Sequence, residues 1–208
     1  MKYQKIIIFL SALIIFNALV VITGWVFGID RLTRFLPNQI NMKFATSICF
    51  LLCGIALPFI SQAVREKKEA ARLILPGITM FILLIMATLL AANLLRVQTG
   101  IEGLFVKDLG NSQTVIPGAP AVPTMICFIL FGAASMVSLF SHRNLNKLIR
   151  GFGISILLIG LVAVLGYLFN LPFLFYKFTQ TTTAMALNTG VLFLLIGLTL
   201  FFIGNHEN

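Results

Sequence analysis

Residues 184–203 read AMALNTGVLFLLIGLTLFFI, a run of twenty residues without a charged side chain. An α-helix of about 20 apolar residues is long enough to cross the hydrocarbon core of a bilayer. We therefore predict a transmembrane helix here. The polar side chains in this run are Asn188, Thr189 and Thr199.

Five other stretches have the same apolar character, and with this run they predict six membrane spans. The six are about Lys5–Phe27, Phe44–Val64, Leu73–Leu95, Thr124–Ser141, Ile149–Phe169 and Ala184–Ile203. Only 10% of the 208 residues are charged, whereas soluble domains are about a quarter charged. The prediction is a single all-α integral membrane domain over residues 1–208, in contact with the lipid bilayer.

The basic residues favour a topology with both termini in the cytoplasm. In that orientation nine of the 15 Lys and Arg residues lie in the inner segments, and six are spread over longer outer loops. Such enrichment in short inner loops is the usual determinant of orientation, and the opposite topology is less favoured. Because the net charge of +9 is explained in this way, we predict no nucleic-acid partner.

A pattern inside the last predicted span recurs in two others. Thr, Phe and Gly follow one another at intervals of four residues. The three copies are Thr46, Phe50 and Gly54; Thr124, Phe128 and Gly132; and Thr189, Phe193 and Gly197. Residues at this spacing lie along one stripe of a helix, and Gly and Thr are typical of close helix contacts in membranes. We predict a helix-packing motif; a ligand groove lined by the same residues is the alternative.

The ends of the first and fifth spans also match each other. They read Gly24-Trp25-Val26-Phe27 and Gly166-Tyr167-Leu168-Phe169, and they precede the next motif threonine by 22 and 23 residues. The third span, which ends in Asn93-Leu94-Leu95-Arg96, breaks the match. Internal repetition of this kind predicts three helical hairpins, at about residues 5–64, 73–141 and 149–203. The three motif stripes would face one another around a pseudo-threefold axis.

Two outer loops carry further predictions. Residues 28–43 have apolar residues at helical spacing, which favours a short interfacial helix ending near Pro37. Residues 96–123 form the longest and most polar loop, and long loops are often functional.

The sequence offers little material for catalysis. None of the 21 Lys, Arg, Asp and Glu residues lies in the middle of a predicted span, which disfavours proton-coupled transport. His142 and His206 lie outside the spans, so haem ligation has no candidates. Cys49, Cys53 and Cys127 lie inside spans without nearby histidines and are predicted to be small packing residues. No catalytic motif is present, and we predict no enzyme activity, no metal site and no cofactor.

The first and last hairpins resemble a membrane sensor region at the N-terminus of many bacterial histidine kinases and some diguanylate cyclases. The similar residues are 24–29 (GWVFGI), 42–46 (MKFAT), 49–57 (CFLLCGIAL), 166–169 (GYLF), 179–180 (TQ), 185–189 (MALNT) and 193–195 (FLL). The resemblance implies a multi-pass input module in the bacterial inner (cytoplasmic) membrane. Relatives often have His where Asn188 stands, and they continue into coiled-coil and catalytic domains, whereas this chain ends at Asn208. Either the chain is a fragment of a longer sensor protein, or it works alone or through a partner. The expected partner is a histidine kinase or cyclase in trans, or a second copy of the chain.

Three functions are compatible with these features. The first is a non-catalytic sensor or ligand-binding module that acts through a separate signalling partner. The second is a small solute channel or carrier, which requires an aligned polar track. The third is a structural or assembly subunit of a membrane complex. For the first, we predict a site between the outer helix ends formed by Trp25, Asn93, Arg96, Tyr167 and Asn188.

Overall fold

The computed structural model describes residues 2–35, 39–65, 69–97, 100, 118–140, 144–176 and 183–205. Within these ranges the chain forms six α-helices and one short 3₁₀ turn, Asp30–Leu32, without a β-strand. The helices are α1 (Lys2–Val26), α2 (Phe44–Val64), α3 (Glu69–Leu95), α4 (Val122–Val137), α5 (Leu145–Leu168) and α6 (Leu187–Gly204). The Asp30–Leu32 turn lies in the loop where the sequence predicts an interfacial helix, and Pro37, the predicted end of that helix, lies outside the described residues.

Five of the described helices are long and apolar enough to cross a membrane, and the protein is accordingly a multi-pass helical membrane protein. The sixth, α4, has 16 residues, which corresponds to a length of about 24 Å. It ends at Val137, before the predicted Ser141, and the next three residues continue as tight turns. One cause is the Ser138 hydroxyl, which donates to the Ser135 carbonyl oxygen at 2.6 Å and favours such a turn.

The helix α2 has the predicted bounds and α3 ends at the predicted Leu95, whereas the remaining boundaries are shifted by a few residues. The helices α3 and α5 begin one turn earlier than predicted, at Glu69 and Leu145. The helix α6 begins later, at Leu187 instead of Ala184. Residues 183–186 are non-helical, since the Met185 N–H donates to the Phe175 carbonyl oxygen at 3.1 Å.

The helices α2 and α6 occupy the interior of the bundle. In both, 61% of the membrane segment is buried, against 33% for α1 and α3 and 28% for α5. The pairs α1–α2, α3–α4 and α5–α6 pack as neighbours. One buried polar contact joins α3 to α4: the Thr79 and Ser135 hydroxyl oxygens are 2.6 Å apart, so each side chain has a partner in the apolar interior.

The helices α1, α3 and α5 end in the same backbone conformation. A residue just past each helix has a positive φ: 67° at Gly28, 55° at Arg96 and 54° at Asn170. The next N–H then donates to the carbonyl oxygen five residues earlier, which is the Schellman helix end. The three hydrogen bonds are Ile29 to Gly24 (2.7 Å), Val97 to Ala92 (3.0 Å) and Leu171 to Gly166 (2.8 Å). The third span does not match the other two in sequence, but its end has the same conformation. Ala92 is the residue equivalent to Gly24 and Gly166, one position before Asn93.

Candidate functional site

Three of the five predicted binding residues donate hydrogen bonds to backbone carbonyls. The Trp25 indole N–H donates to the Met42 carbonyl oxygen at 2.8 Å, and the Tyr167 hydroxyl donates to the Met185 carbonyl oxygen at 2.7 Å. Met42 and Met185 each lie four residues before a motif threonine. Trp25 and Tyr167 thus hold equivalent segments in place, the ones that lead into α2 and α6.

Asn188 joins the first and last helical hairpins. Its side-chain N–H donates to the Thr33 carbonyl oxygen at 3.2 Å, and its carbonyl oxygen accepts the Thr189 N–H at 3.1 Å. The side chain is almost completely buried. Both ends of the amide are used, so Asn188 fixes the start of α6 against the loop that follows α1.

The remaining two predicted residues lie at the end of α3. Arg96 is exposed and Asn93 is partly exposed, and the Arg96 N–H donates to the Asn93 carbonyl oxygen at 3.3 Å. None of the five predicted residues is among those that line the pocket found at this end of the bundle.

That pocket lies where the N-terminal ends of α2, α4 and α6 meet, and we call it the axial pocket. Its cavity volume is about 10 Å³, room for about one water molecule. Each of the three helices contributes its motif threonine. The lining residues are Asn41, Met42, Lys43, Thr46, Pro120, Ala121, Thr124, Thr183, Ala184, Met185, Ala186 and Thr189.

The three helices begin in the same way at the axial pocket. The residues that precede them, Lys43, Ala121 and Ala186, are extended, with φ/ψ of −70°/150°, −64°/146° and −67°/149°, and none provides a side-chain cap. The motif threonine is the third residue of each helix. The first turn of each helix carries the positive end of the helix dipole, and three such ends surround one small space. Pro123 in α4 has no N–H, and the Thr189 N–H in α6 already donates to Asn188 Oδ1.

Three phenylalanine rings lie one helical turn deeper than the threonines. The ring centroids are 4.9 Å apart for Phe50 and Phe128, 4.8 Å for Phe50 and Phe193, and 5.1 Å for Phe128 and Phe193. All three side chains are completely buried, and their tilted and edge-to-face arrangements are favourable. The rings fill the space between α2, α4 and α6 below the axial pocket.

The motif glycines point elsewhere, each toward the preceding helix of its own pair. A Cβ atom on Gly54 would lie 2.6 Å from the Ile15 side chain, and one on Gly132 would lie 2.7 Å from the Leu83 side chain. A Cβ atom on Gly197 would lie 2.6 Å from the Gly153 carbonyl oxygen. The structure thus brings the three phenylalanines together and gives the glycines a separate role within each hairpin.

The walls of the axial pocket are polar and contain one formal charge. Lys43 is only 5% exposed, and none of the twelve lining residues is Asp or Glu. Two buried oxygens of the lining residues, Asn41 Oδ1 and Thr183 Oγ1, have no hydrogen-bond partner among the described residues. A buried polar atom without a partner costs about 1–3 kcal/mol, a cost that a water molecule or a ligand bound in the pocket would remove.

Sequence reasoning includes the motif threonines as residues of a possible ligand groove, but it misses Asn41, Lys43 and Thr183. The available signal is their position, because they lie just before the second and sixth predicted spans. The three cysteines are buried free thiols, and the described residues contain no cluster of metal-ligating side chains. His142, His206 and loop residues 101–117 lie outside the described residues.

No protein-family model, curated protein or solved structure matches this chain.

Proposed function

We propose that this protein is a non-catalytic membrane sensor that binds a small ligand in the axial pocket and acts through a separate signalling partner. The observation that carries the proposal is the polar lining of the pocket at the end of a strongly apolar helix bundle. Asn41 Oδ1 and Thr183 Oγ1 are buried there without hydrogen-bond partners in the described part of the chain. A bound ligand would supply those partners.

The proposal includes a full topology. The chain crosses the bacterial inner membrane six times as three repeated hairpins, with both termini in the cytoplasm, and α4 makes the fourth crossing together with the turn that follows it. The common Schellman ends of α1, α3 and α5 and the equivalent bonds from Trp25 and Tyr167 support the repeat. In this orientation the axial pocket opens to the outside of the cell.

The partner in this proposal is a histidine kinase or a cyclase in trans, or a second copy of the chain. The resemblance of residues 24–57 and 166–195 to kinase and cyclase sensor regions supports it. A route for the signal is available because α2 and α6 run from the pocket to the other end of the bundle. A ligand that shifts their N-terminal turns would move their opposite ends, where a partner could respond.

The alternative of a channel is less well supported by the same geometry. Solute that followed the bundle axis would meet the rings of Phe50, Phe128 and Phe193, which are in mutual contact and completely buried. A channel therefore requires these rings to separate, whereas a binding pocket requires them to stay closed.

A ligand screen on the full chain tests the sensor proposal. The protein is placed in lipid nanodiscs, and its thermal unfolding is followed with a panel of small acids, amines, amides and sugars. At least one solute is expected to raise the midpoint, because a ligand at 100 times its Kd adds about 2.7 kcal/mol to the free energy of unfolding.

Two variants make the screen specific to the axial pocket. Thr124→Leu fills the pocket and is expected to abolish the shift. Thr88→Leu is the matched control, because Thr88 lies on α3, is not a lining residue of the pocket and donates to the Leu84 carbonyl oxygen of its own helix. A panel without any active solute, or a shift that survives in Thr124→Leu, would count decisively against the proposal.

A further inference from the structure

We infer that the ligand of the axial pocket is a small anion. The inference rests on the proposed function, since it names the chemistry of the ligand for the same site. Four features of the lining lead to it: the helix ends, the lysine, the unpartnered oxygens and the shape of the space.

The first feature is the convergence of three helix N-termini. The helices α2, α4 and α6 have 21, 16 and 18 residues, long enough for a full dipole at each end. Each N-terminus acts as roughly half a positive charge, so the three together contribute a positive potential of about one and a half charges. Helix N-termini are established binding positions for anions in proteins.

The second feature is Lys43, which precedes α2 and lines the pocket while only 5% exposed. Its ammonium group adds a full positive charge to the potential of the helix ends. No lining residue carries a negative charge, so a bound cation would be opposed by the lysine and by all three dipoles.

The third feature is the pair of unpartnered oxygens. Thr183 is 8% exposed, lines the pocket and has no hydrogen-bond partner for its hydroxyl oxygen within the described ranges. A hydroxyl group can donate its hydrogen to an anion. Asn41 Oδ1 is likewise buried and unpartnered among those residues. Because Oδ1 is an acceptor, an anion at this position would require the Asn41 amide to turn and present its N–H.

The fourth feature is the combination of size and apolar wall. The cavity has a volume of about 10 Å³, room for about one water molecule, which limits the enclosed part of a ligand to a very small group. The side chains of Met42 and Met185, both almost completely buried, form part of the wall. A small anion would meet the polar residues on one side of this space and the methionines on the other.

Three probes of similar size and different charge test the inference on the full chain in phosphatidylcholine nanodiscs. They are sodium acetate, acetamide and ethylammonium gluconate, with sodium gluconate, whose anion is too large for the pocket, as the ionic-strength control. Sodium chloride is added as a second small anion. Acetate or chloride is expected to raise the midpoint of thermal unfolding, and acetamide and ethylammonium are not.

Variants then separate the pocket from non-specific charge effects. Lys43→Met is expected to weaken the apparent affinity for the small anion by about tenfold or more, because a charge-assisted contact is lost. Thr183→Val keeps the shape of the side chain and removes the hydroxyl. We expect it to weaken the apparent affinity for the small anion by about threefold to tenfold. Arg31→Met is the control: it removes one exposed positive charge near the same end of the bundle and is expected to bind like the wild type.

The outcomes separate this inference from the proposal on which it rests. If acetamide or ethylammonium stabilises the protein and the anions do not, the anion inference is overturned while the axial pocket remains a binding site. Equal anion responses in the wild type, Lys43→Met and Thr183→Val would overturn it as well. If Lys43→Met does not fold, the anion responses of Lys43→Gln and Thr183→Val test the inference in its place. A complete absence of response, both to these probes and to the wider panel, removes the proposed function together with the inference.

Discussion

Arg96 and Asn170 occupy backbone positions that favour glycine. Both have a positive φ, 55° and 54°, at the place where the first hairpin has Gly28. A left-handed conformation costs a residue with a Cβ atom about 1 kcal/mol, and Asn tolerates it better than Arg. We therefore expect Arg96→Gly to raise the free energy of unfolding by about 0.5–1 kcal/mol, and Asn170→Gly to raise it less.

The measurement is reversible unfolding in mixed detergent micelles, with Leu94→Gly as the control. Leu94 is exposed and lies in the last turn of α3, where glycine is expected to cost up to about 1 kcal/mol. A destabilised Arg96→Gly variant would show that the Arg96 side chain has a role that its exposed position does not reveal. The acetate response of Arg96→Gly is expected to equal that of the wild type, since Arg96 does not line the axial pocket.

At the scale of single residues, the sequence could locate polar side chains but not their partners. Trp25, Tyr167 and Asn188 stood out because each is a polar group at the end of an apolar span. Their hydrogen bonds go to the carbonyl oxygens of Met42, Met185 and Thr33, residues in connecting segments. The path of such a segment depends on tertiary packing, so no periodicity in the sequence indicates which carbonyl will face which donor.

At the scale of helices, the Thr-Phe-Gly motif has three roles and not one. Four residues correspond to about 400° of helical rotation, so each step along the motif turns the side chain by about 40°. The threonine at one end and the glycine at the other therefore differ in direction by about 80°. This rotation explains why the threonines line the axial pocket, the phenylalanines meet on the axis, and the glycines face the neighbouring helix of the same hairpin.

The motif glycines pack against different kinds of atoms on the neighbouring helices. We therefore expect alanine substitutions to lower the free energy of unfolding by different amounts. In Gly197→Ala the new methyl group would lie 2.6 Å from backbone atoms of α5, the Gly153 carbonyl oxygen and the Leu157 nitrogen, which cannot move independently. We expect a loss of about 1–3 kcal/mol in the free energy of unfolding, the usual cost of overpacking. Gly132→Ala is expected to cost less, because its contact at 2.7 Å is the end of the flexible Leu83 side chain.

The control for this series is Gly151→Ala. Gly151 lies in α5, and a Cβ atom at this position would have no described neighbouring atom within 4 Å, so alanine is expected to stabilise the helix by up to about 1 kcal/mol. All three variants are compared by unfolding under identical detergent conditions. Equal costs for Gly197→Ala and Gly132→Ala would mean that α5 and α6 can separate as easily as a leucine can change its rotamer, contrary to the packing described.

At the scale of the whole molecule, hydropathy was sufficient to predict helices near all six spans, because lipid requires every backbone polar group to be satisfied within the helix. It could not predict the axial pocket. The pocket forms where the N-termini of three helices meet, together with Asn41 and Thr183. These parts are far apart in the sequence and come together only in the folded bundle. The pocket also depends on where α6 begins, and that boundary is set by the Met185–Phe175 hydrogen bond instead of by composition.

The orientation of the bundle determines whether the axial pocket can sense anything outside the cell, and cysteine labelling measures it directly. Cys49, Cys53 and Cys127 are completely buried, so the wild type is expected to give little background with a membrane-impermeant maleimide. Asp30, whose side chain is 73% exposed, lies in the loop between α1 and α2. Asn205 is exposed at the opposite end of the bundle, just past α6.

With both termini in the cytoplasm, Asp30→Cys is expected to react in intact spheroplasts, and Asn205→Cys only after the membrane is permeabilised. The physical reason is the distribution of Lys and Arg, nine on the inner side and six on the outer. The reverse labelling pattern would place the axial pocket on the cytoplasmic side. The anion chemistry of the pocket would be unaffected, but its ligand would then be an intracellular solute, and the sensor would report on the state of the cell's own interior.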